Sequence, residues 1–424
     1  MTVLNFEDLS PVQKSVEVEI PADLISSETN RVTNEFGRHA KVPGFRPGKI
    51  PASVVRNRFA KEIEEEVMSR VLNQSFFQVV RDKGLEPVGD PQVEHVDPFI
   101  VGAPMKFKAK FEVKPQIELG EYRGLGIEDP KIEVTDTDVD SMIERLRDQA
   151  SAYRVETERG LEDGDFAVIE IASSGDGIEP KSDSGHFKMG EDTPLPELHE
   201  ALRGRKTGET ASFDKTYGED ANQEAWRGKT IHHDVTLKEI RVQEKPEVND
   251  DFAKSVGGWE TAEQMREAIS ADIRRHREAE AQRFKRTQIG EQLLAVHHFD
   301  VPETLVEDEL GKSLNNYARY LASQGVDLEK AEIDWRKMAD EFRPEAVKRV
   351  KRGLILEAIA RKEGLEVSDV EVDAEIRRAS REQGREFADV KHHLKHEGGY
   401  EALRTSLAQE KALEMVLRES HARG

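Results

Sequence analysis

The 424-residue chain contains no cysteine, which excludes disulfide frameworks, thiolate zinc sites and cysteine nucleophiles and fits a reducing cell interior. Aromatic residues supply only 6% of it and hydrophobic residues 36%. That suffices for packed cores but leaves little over, so elongated, solvent-rich elements are expected rather than one large globule. No stretch approaches the roughly 18 consecutive apolar residues of a membrane span, so no contact with a membrane is expected. The first residues, MTVLNFEDLSPVQKSVEVEI, carry early acidic groups and no apolar run followed by small residues, unlike a secretory signal. A cytoplasmic protein is expected. Positive charge is also short, with 63 basic against 85 acidic residues and a net charge of −22. The chain as a whole should not adhere nonspecifically to nucleic acid, and any contact with polyanions must be local. At roughly 150 residues per domain, the length predicts two or three domains.

Residues 14–20 alternate Val16, Val18 and Ile20 with polar neighbours, the period of a half-buried strand. Ile25, Val32 and Phe36 mark a first helix. A second opens at Pro51, carries Val55, Phe59, Ile63, Val67, Val71 and Phe76, and closes at Lys83-Gly84. MKFKAKFEV, residues 105–113, is a strand with one wet face. Residues 1 to about 115 thus predict an α+β domain of two helices on an antiparallel sheet. Pro115 to Pro130 reads as a linker, followed by a helix over about 136–153. From Gly164 to Ile240 short strands and turns (FAVIEIA, Gly175-Asp176-Gly177, TASFDKTY, TIHHDVTLKEI) predict a β-rich insert. Beyond Pro246 the pattern is helical, with stripes such as Leu305, Leu310, Leu314, Tyr317 and Leu321. Ser368 and Glu371 form a capping box, and Gly398 reads as a helix stop.

One segment departs from the acidic background. Between Arg31 and Lys61 stand Arg31, Arg38, Lys41, Arg46, Lys49, Arg56, Arg58 and Lys61 against the single acidic Glu35. Such segregation suits a phosphate-facing patch. At its centre KVPGFRPGKIP, residues 41–51, lies between two helices, with Gly44 and Gly48 permitting tight turns and Pro43, Pro47 and Pro51 restricting the loop. Phe45 beside Arg46 and Lys49 could dock on folded RNA or an RNA–protein surface. It could equally be a helix–helix turn with Phe45 in the core and the charges solvated.

GFRPGKIP resembles the ribosome-docking signature of bacterial trigger factor, Gly-Phe-Arg-x-Gly-Lys-x-Pro, matching at Gly44, Phe45, Arg46, Gly48, Lys49 and Pro51, with Pro47 and Ile50 at the variable places. The resemblance extends to the length, the β insert, PEVNDDFAKSVG (residues 246–257) and VPETLVEDEL (residues 301–310). It implies a ribosome-associated chaperone with no cofactor and no metal. Its implied partners are ribosomal protein L23 with nearby ribosomal RNA at the tunnel exit, nascent and unfolded polypeptides, and a second copy of the chain away from the ribosome. The fold class expected is α+β multidomain: an N-terminal α+β ribosome-binding domain (1–112), a linker and helix packing with the C-terminal domain (113–153), an FKBP-like β-rich insert (154–242) and an extended all-α C-terminal client-binding domain (243–424).

The same resemblance makes residues 154–242 an FKBP-type peptidyl-prolyl cis-trans isomerase. That chemistry needs no acid, base or metal. The Xaa-Pro bond has partial double-bond character and a barrier near ~20 kcal/mol, which an apolar pocket lowers by stripping water from the imide and holding it twisted. The resemblance places Phe187, Leu195, Leu198 and Tyr217 in that pocket. Leu195-Pro196-Glu197-Leu198 keeps the family's aliphatic residue and proline but lacks its glycine and aromatic floor. Ile171 replaces an aromatic, WRGKTIHHDV carries histidine where phenylalanine is usual, and Ala221 falls where a hydroxyl-bearing tyrosine is expected. Attenuated activity follows, and Phe187, Leu195 and Leu198 could instead be plain core. A free-standing prolyl isomerase with a helical dimerisation region is the alternative function.

Other candidates are weaker. His392 and His396 share the i, i+4 spacing of a metal pair, without a convincing third ligand. Gly257-Gly258 and Gly398-Gly399 lack the Gly-Lys-Ser/Thr of a phosphate loop. No Ser-His-Asp spacing is readable. The absence of an ATP motif suits passive, multivalent holding of unfolded segments.

Overall fold

A computed structural model describes the chain apart from residues 44, 46–49, 176–177, 191–192, 194, 222–225, 329, 332, 397 and 423–424, and apart from the side chains of 178–181 and 422. It divides into two compact units, one of residues 1–129 with 282–424 and one of residues 130–281.

In the first unit, β1 (Thr2–Asp8), β2 (Gln13–Ile20), β3 (Pro87–Val96) and β4 (Met105–Val113) form an antiparallel sheet in the order β1-β2-β4-β3. The alternation in β4 buries Met105, Phe107, Ala109, Phe111 and Val113 and turns the lysines outward, as its period requires. Against that face pack α1 (Ala22–His39), α2 (Ala52–Arg58) and α3 (Ala60–Asp82). The single helix expected after Pro51 is therefore two. Phe59 leaves helical geometry (φ −117°, ψ 34°) while its N–H still donates to the Val55 carbonyl, and the bend sets its ring 6.0 Å from Phe36. Phe76 and Phe111 meet edge to face at 5.0 Å in the core.

The segment 115–130, expected as a linker, holds the short strand β5 (Gly126–Ile127) and buries Tyr122 and Ile127. They join a core with Ile289 and Leu293 of α7 (Ala262–Val296), Ile355 and Ile359 of α9 (Trp335–Glu363) and Val416 of α12 (Gly399–Glu419). The terminal strand β11 (His421–Ala422) pairs in parallel with β5. His297 fixes this segment, its buried imidazole accepting the Gly120 N–H at 3.0 Å through Nε2 and donating from Nδ1 to the Leu293 carbonyl. α8 (Glu303–Ser323) packs on α9, and α10 (Asp369–Gln383) and α11 (Phe387–His396) on α12. The Ser368–Glu371 capping box is present. Gly398, expected as a helix stop, is the left-handed residue (φ 74°) that opens α12, a conformation glycine adopts without steric cost.

The second unit holds α4 (Asp136–Gln149), β6 (Ala152–Glu156), β7 (Phe166–Gly175), β8 (Ile178–Lys188), α5 (Pro196–Leu202), β9 (Thr210–Thr216), β10 (Thr230–Glu244), α6 (Asp250–Gly257) and the N-terminal part of α7. The helix expected to reach 153 stops at Gln149, because Tyr153 and Val155 belong to β6 and pair with β10. The five-stranded antiparallel sheet runs β6-β10-β7-β8, with β9 sharing with β6 the edge of β10 opposite β7. Long β10 changes partner along its length, with β6 at its C-terminal end and β9 at its N-terminal end. α5 covers the sheet, burying Leu198 and Leu202 against Val235, Leu237 and Ile240. α4 packs separately on α6 and α7 through Val139, Ile143, Phe252 and Met265.

Candidate functional site

The basic loop springs from a braced pair of helices. α1 ends with Arg38 and His39 in its last turn, and α2 starts at Pro51, whose φ of −58° suits a helix entry. Between them Val42 is buried and Ile50 packs on the N-terminal core, fixing both ends of the loop. The Phe45 N–H donates to the Val42 carbonyl at 3.1 Å, and the Phe45 ring is 40% exposed. Phe45 is therefore not among the buried residues of the N-terminal core. Gly44, Arg46, Pro47, Gly48 and Lys49 lie outside the described residues, as does the Asp176-Gly177 turn.

An ion-pair network ties α1 to α3. Arg70 meets Glu35 at 2.8 Å, Glu66 at 2.6 Å and buried Glu28 at 3.4 Å. Arg31 also reaches Glu28 at 2.8 Å. The Arg70 hydrogen bond holds the Glu35 carboxyl below its ordinary range, and the pairing pushes Arg70 up. Arg56 donates to Asn30 and Thr33, joining α2 to α1. Arg31 and Arg56 of the basic cluster are thus spent on contacts within and between these helices.

In the β-rich module, Phe187 and Leu195 are half-buried against the core that contains Leu198, and Phe213 packs on the same core. Leu198 itself is buried in the α5–sheet interface, a core role. Of the residues that complete this region, the sequence singles out Tyr217 and the histidine at a phenylalanine position, but not Phe213, Trp226 or Ser173. The Phe213 ring lies 5.0 Å from that of His233, which Tyr217 and Trp226 approach at 6.0 and 5.8 Å. Tyr217 and Trp226 are themselves 4.9 Å apart. The signal was the strand alternation: in register, His233 of β10 faces Phe213 of β9 on one side and Ser173 of β7 on the other.

His233 is 1% exposed and sits between two hydroxyls, with Nδ1 2.8 Å from Ser173 Oγ and Nε2 3.1 Å from the Tyr217 hydroxyl. Burial holds His233 below the usual imidazole range, so the ring is neutral, and burial raises Tyr217. Tyr217 thus places a phenolic hydroxyl against the ring cluster. Next to it, Lys215 pairs with Glu197 of α5 at 3.0 Å. Elsewhere, His392 and His396 have ring centroids 4.8 Å apart. Among the described residues no group of three or more His, Asp or Glu side chains is arranged to hold a metal ion. No helix is long and apolar enough to cross a membrane, again among the described residues.

Two family models match the chain. That of the bacterial trigger factor protein covers residues 2–146, and that of the trigger factor C-terminus covers residues 261–418. The trigger factor of Solibacter usitatus is 34% identical over 406 residues, 95% of this chain and 96% of the relative. That of Anaeromyxobacter dehalogenans is 33% identical over 97% of this chain and 98% of the relative. A solved structure described as the trigger factor chaperone aligns over 98% of this chain and all of the other, with 21% identity and a TM-score of 0.45. With both ends matched by the family models and relatives aligned end to end, the chain belongs to the trigger factor family.

Proposed function

We propose that this chain docks on the ribosome through the loop Gly44–Pro51, with ribosomal protein L23 and neighbouring RNA as the receiving surface, and holds emerging polypeptide on its helical part. Membership of the trigger factor family makes it a ribosome-associated chaperone; the proposal names the surface and the mode of holding. The observation that carries it is the exposed Phe45 ring on a loop anchored at Val42 and Ile50. An aromatic kept in water between two fixed helices is ready to bury on a partner, and local positive charge opposes the acidic remainder.

Holding uses scattered apolar groups rather than one pocket. Tyr320 is 59% exposed and stacks near Tyr317, while Val326 and Trp335 stand exposed around the α8–α9 connection. Several weak contacts along one bound segment raise dwell time through effective concentration, with no nucleotide step. The domains proposed are 1–112 for docking, 113–153 for linking, 154–242 for an FKBP-type isomerase and 243–424 for clients, with self-association off the ribosome and a cytoplasmic location. The isomerase is proposed to be weak. Phe213, Tyr217 and Trp226 offer aromatic walls, but Leu198 provides no aromatic floor.

Ribosome co-sedimentation of the triple variant Phe45→Ala, Arg46→Ala, Lys49→Ala tests the proposal. Pelleting should collapse while prolyl-peptide turnover stays at the wild-type level. Undiminished pelleting would refute the docking surface and favour a free-standing isomerase.

A further inference from the structure

The buried polar contacts of His233 have no packing rationale of their own. A phenylalanine would fill the same volume beside Phe213 without a polar atom to satisfy, yet this chain buries an imidazole and matches both of its nitrogens to hydroxyls. A neutral imidazole has one N–H and one acceptor nitrogen. One hydroxyl must therefore donate to the ring and the other must accept from it. The direction of that chain decides what Tyr217 presents to the cleft. If Tyr217 donated to Nε2, its oxygen would offer only lone pairs outward. Buried Ser173 Oγ makes no other hydrogen bond among the described residues, so its O–H donates to Nδ1; the ring proton then sits on Nε2 and is donated to the Tyr217 oxygen, and the phenolic O–H turns outward.

We propose that His233 is a positioning residue for the prolyl isomerisation: clamped by Ser173, it steers the Tyr217 hydroxyl to donate into the cleft, to a backbone carbonyl of the bound Xaa-Pro segment. The inference rests on the isomerase reading above and adds which residues orient the substrate. No bond is made or broken. Aligned donors strengthen one another, and a carbonyl held in place leaves the prolyl C–N bond as the part free to rotate, an orientational gain available without acid–base chemistry. Burial supports the neutral ring the arrangement needs. Half-burial of Tyr217 and Trp226 leaves the phenol at the edge of the cluster, where a substrate can reach it.

The test is kcat and KM for an Xaa-Pro peptide with the full chain and its variants Tyr217→Phe, His233→Phe, His233→Gln, Ser173→Ala and the double Tyr217→Phe, His233→Phe. Loss of one oriented hydrogen bond should lower kcat/KM by about tenfold in Tyr217→Phe and in His233→Phe. The double variant should lose no more than either single one, because both act through the same hydroxyl. His233→Gln, which keeps a donor, should recover part of the loss, and ¹⁵N NMR should find the His233 proton on Nε2. If His233→Phe does not fold, Ser173→Ala decides: kcat/KM should fall and the proton should redistribute between the ring nitrogens. Wild-type turnover with unchanged His233→Phe or Ser173→Ala, or with additive losses in the double variant, overturns the positioning role and leaves the isomerase reading standing. No turnover by the wild type overturns both.

Discussion

Replacing Glu112 by alanine should loosen the start of α8 from a distance of 191 residues along the chain. α8 begins at Pro302 with no side-chain cap of its own, so its first amides need an outside acceptor. The Glu112 carboxylate, on β4, supplies it: the Glu303 N–H donates to Oε1 at 3.1 Å and the Thr304 N–H to Oε2 at 2.8 Å. A capping acceptor contributes roughly 0.5–2 kcal/mol, and a carboxylate gains about 0.3–1 kcal/mol more from the helix dipole. For a half-buried carboxylate, about 1–2 kcal/mol is the reasonable loss, or roughly 5- to 30-fold in local opening. Hydrogen exchange followed by mass spectrometry over residues 303–308 would report it directly. Arg343, which pairs with Glu303 and Glu307, keeps the helix itself seated, so the effect should stay in the first turn. Glu112→Gln, keeping an acceptor but not the charge, should show a smaller increase. If first-turn amides of folded Glu112→Ala exchange within twofold of wild type, water replaces the carboxylate without cost and the capping argument is wrong.

Phe76→Ala, emptying the position opposite Phe111, should cost the N-terminal domain about 3–5 kcal/mol, read by denaturant unfolding; a loss under 1 kcal/mol would mean the core there collapses freely. At Gly160 an added Cβ would run into the Gly204 carbonyl, so Gly160→Ala should destabilise the β-rich module by about 1–3 kcal/mol, and an unchanged thermal midpoint would contradict that close approach. Glu371, pushed down to about 2 by Lys411 and by the Ser368 backbone and hydroxyl, lies below its ordinary 4.5. Its folded value being the lower one, its contribution is complete above pH ~4.5 and is lost as pH falls towards 2. The thermal-midpoint gap between wild type and Glu371→Gln should close over that window, and a gap independent of pH would refute the pairing.

What the sequence made legible was periodic or covalently local. The alternation of β4, the apolar stripes of α3 and α8 and the Ser368–Glu371 box all appear as read. β1 and β6 escaped notice because edge strands bury little: nearly all of β1 is exposed, and only Glu156 of β6 is buried. The break at Phe59 was invisible because Val55, Phe59 and Ile63 keep helical spacing across it. The segment 115–130 read as a linker from its prolines and glycines, yet Tyr122 and Ile127 find their core among residues more than 150 positions away. The exposure of Phe45 could not follow from composition, which allowed both readings. His233 was noticed as a substitution, but its meaning lay in cross-strand pairing with Ser173 and in the reach of Tyr217 around the turn to β10.

The central claim concerns a single ring. Equilibrium titration of fluorescently labelled protein against ribosomes, comparing wild type with Phe45→Ala alone, removes the exposed aromatic while leaving Arg46, Lys49 and the helices beneath in place. A central aromatic anchor should carry at least about 2 kcal/mol, roughly a thirtyfold increase in Kd. A Kd within twofold of wild type at the same salt would place the docking energy elsewhere and contradict the account.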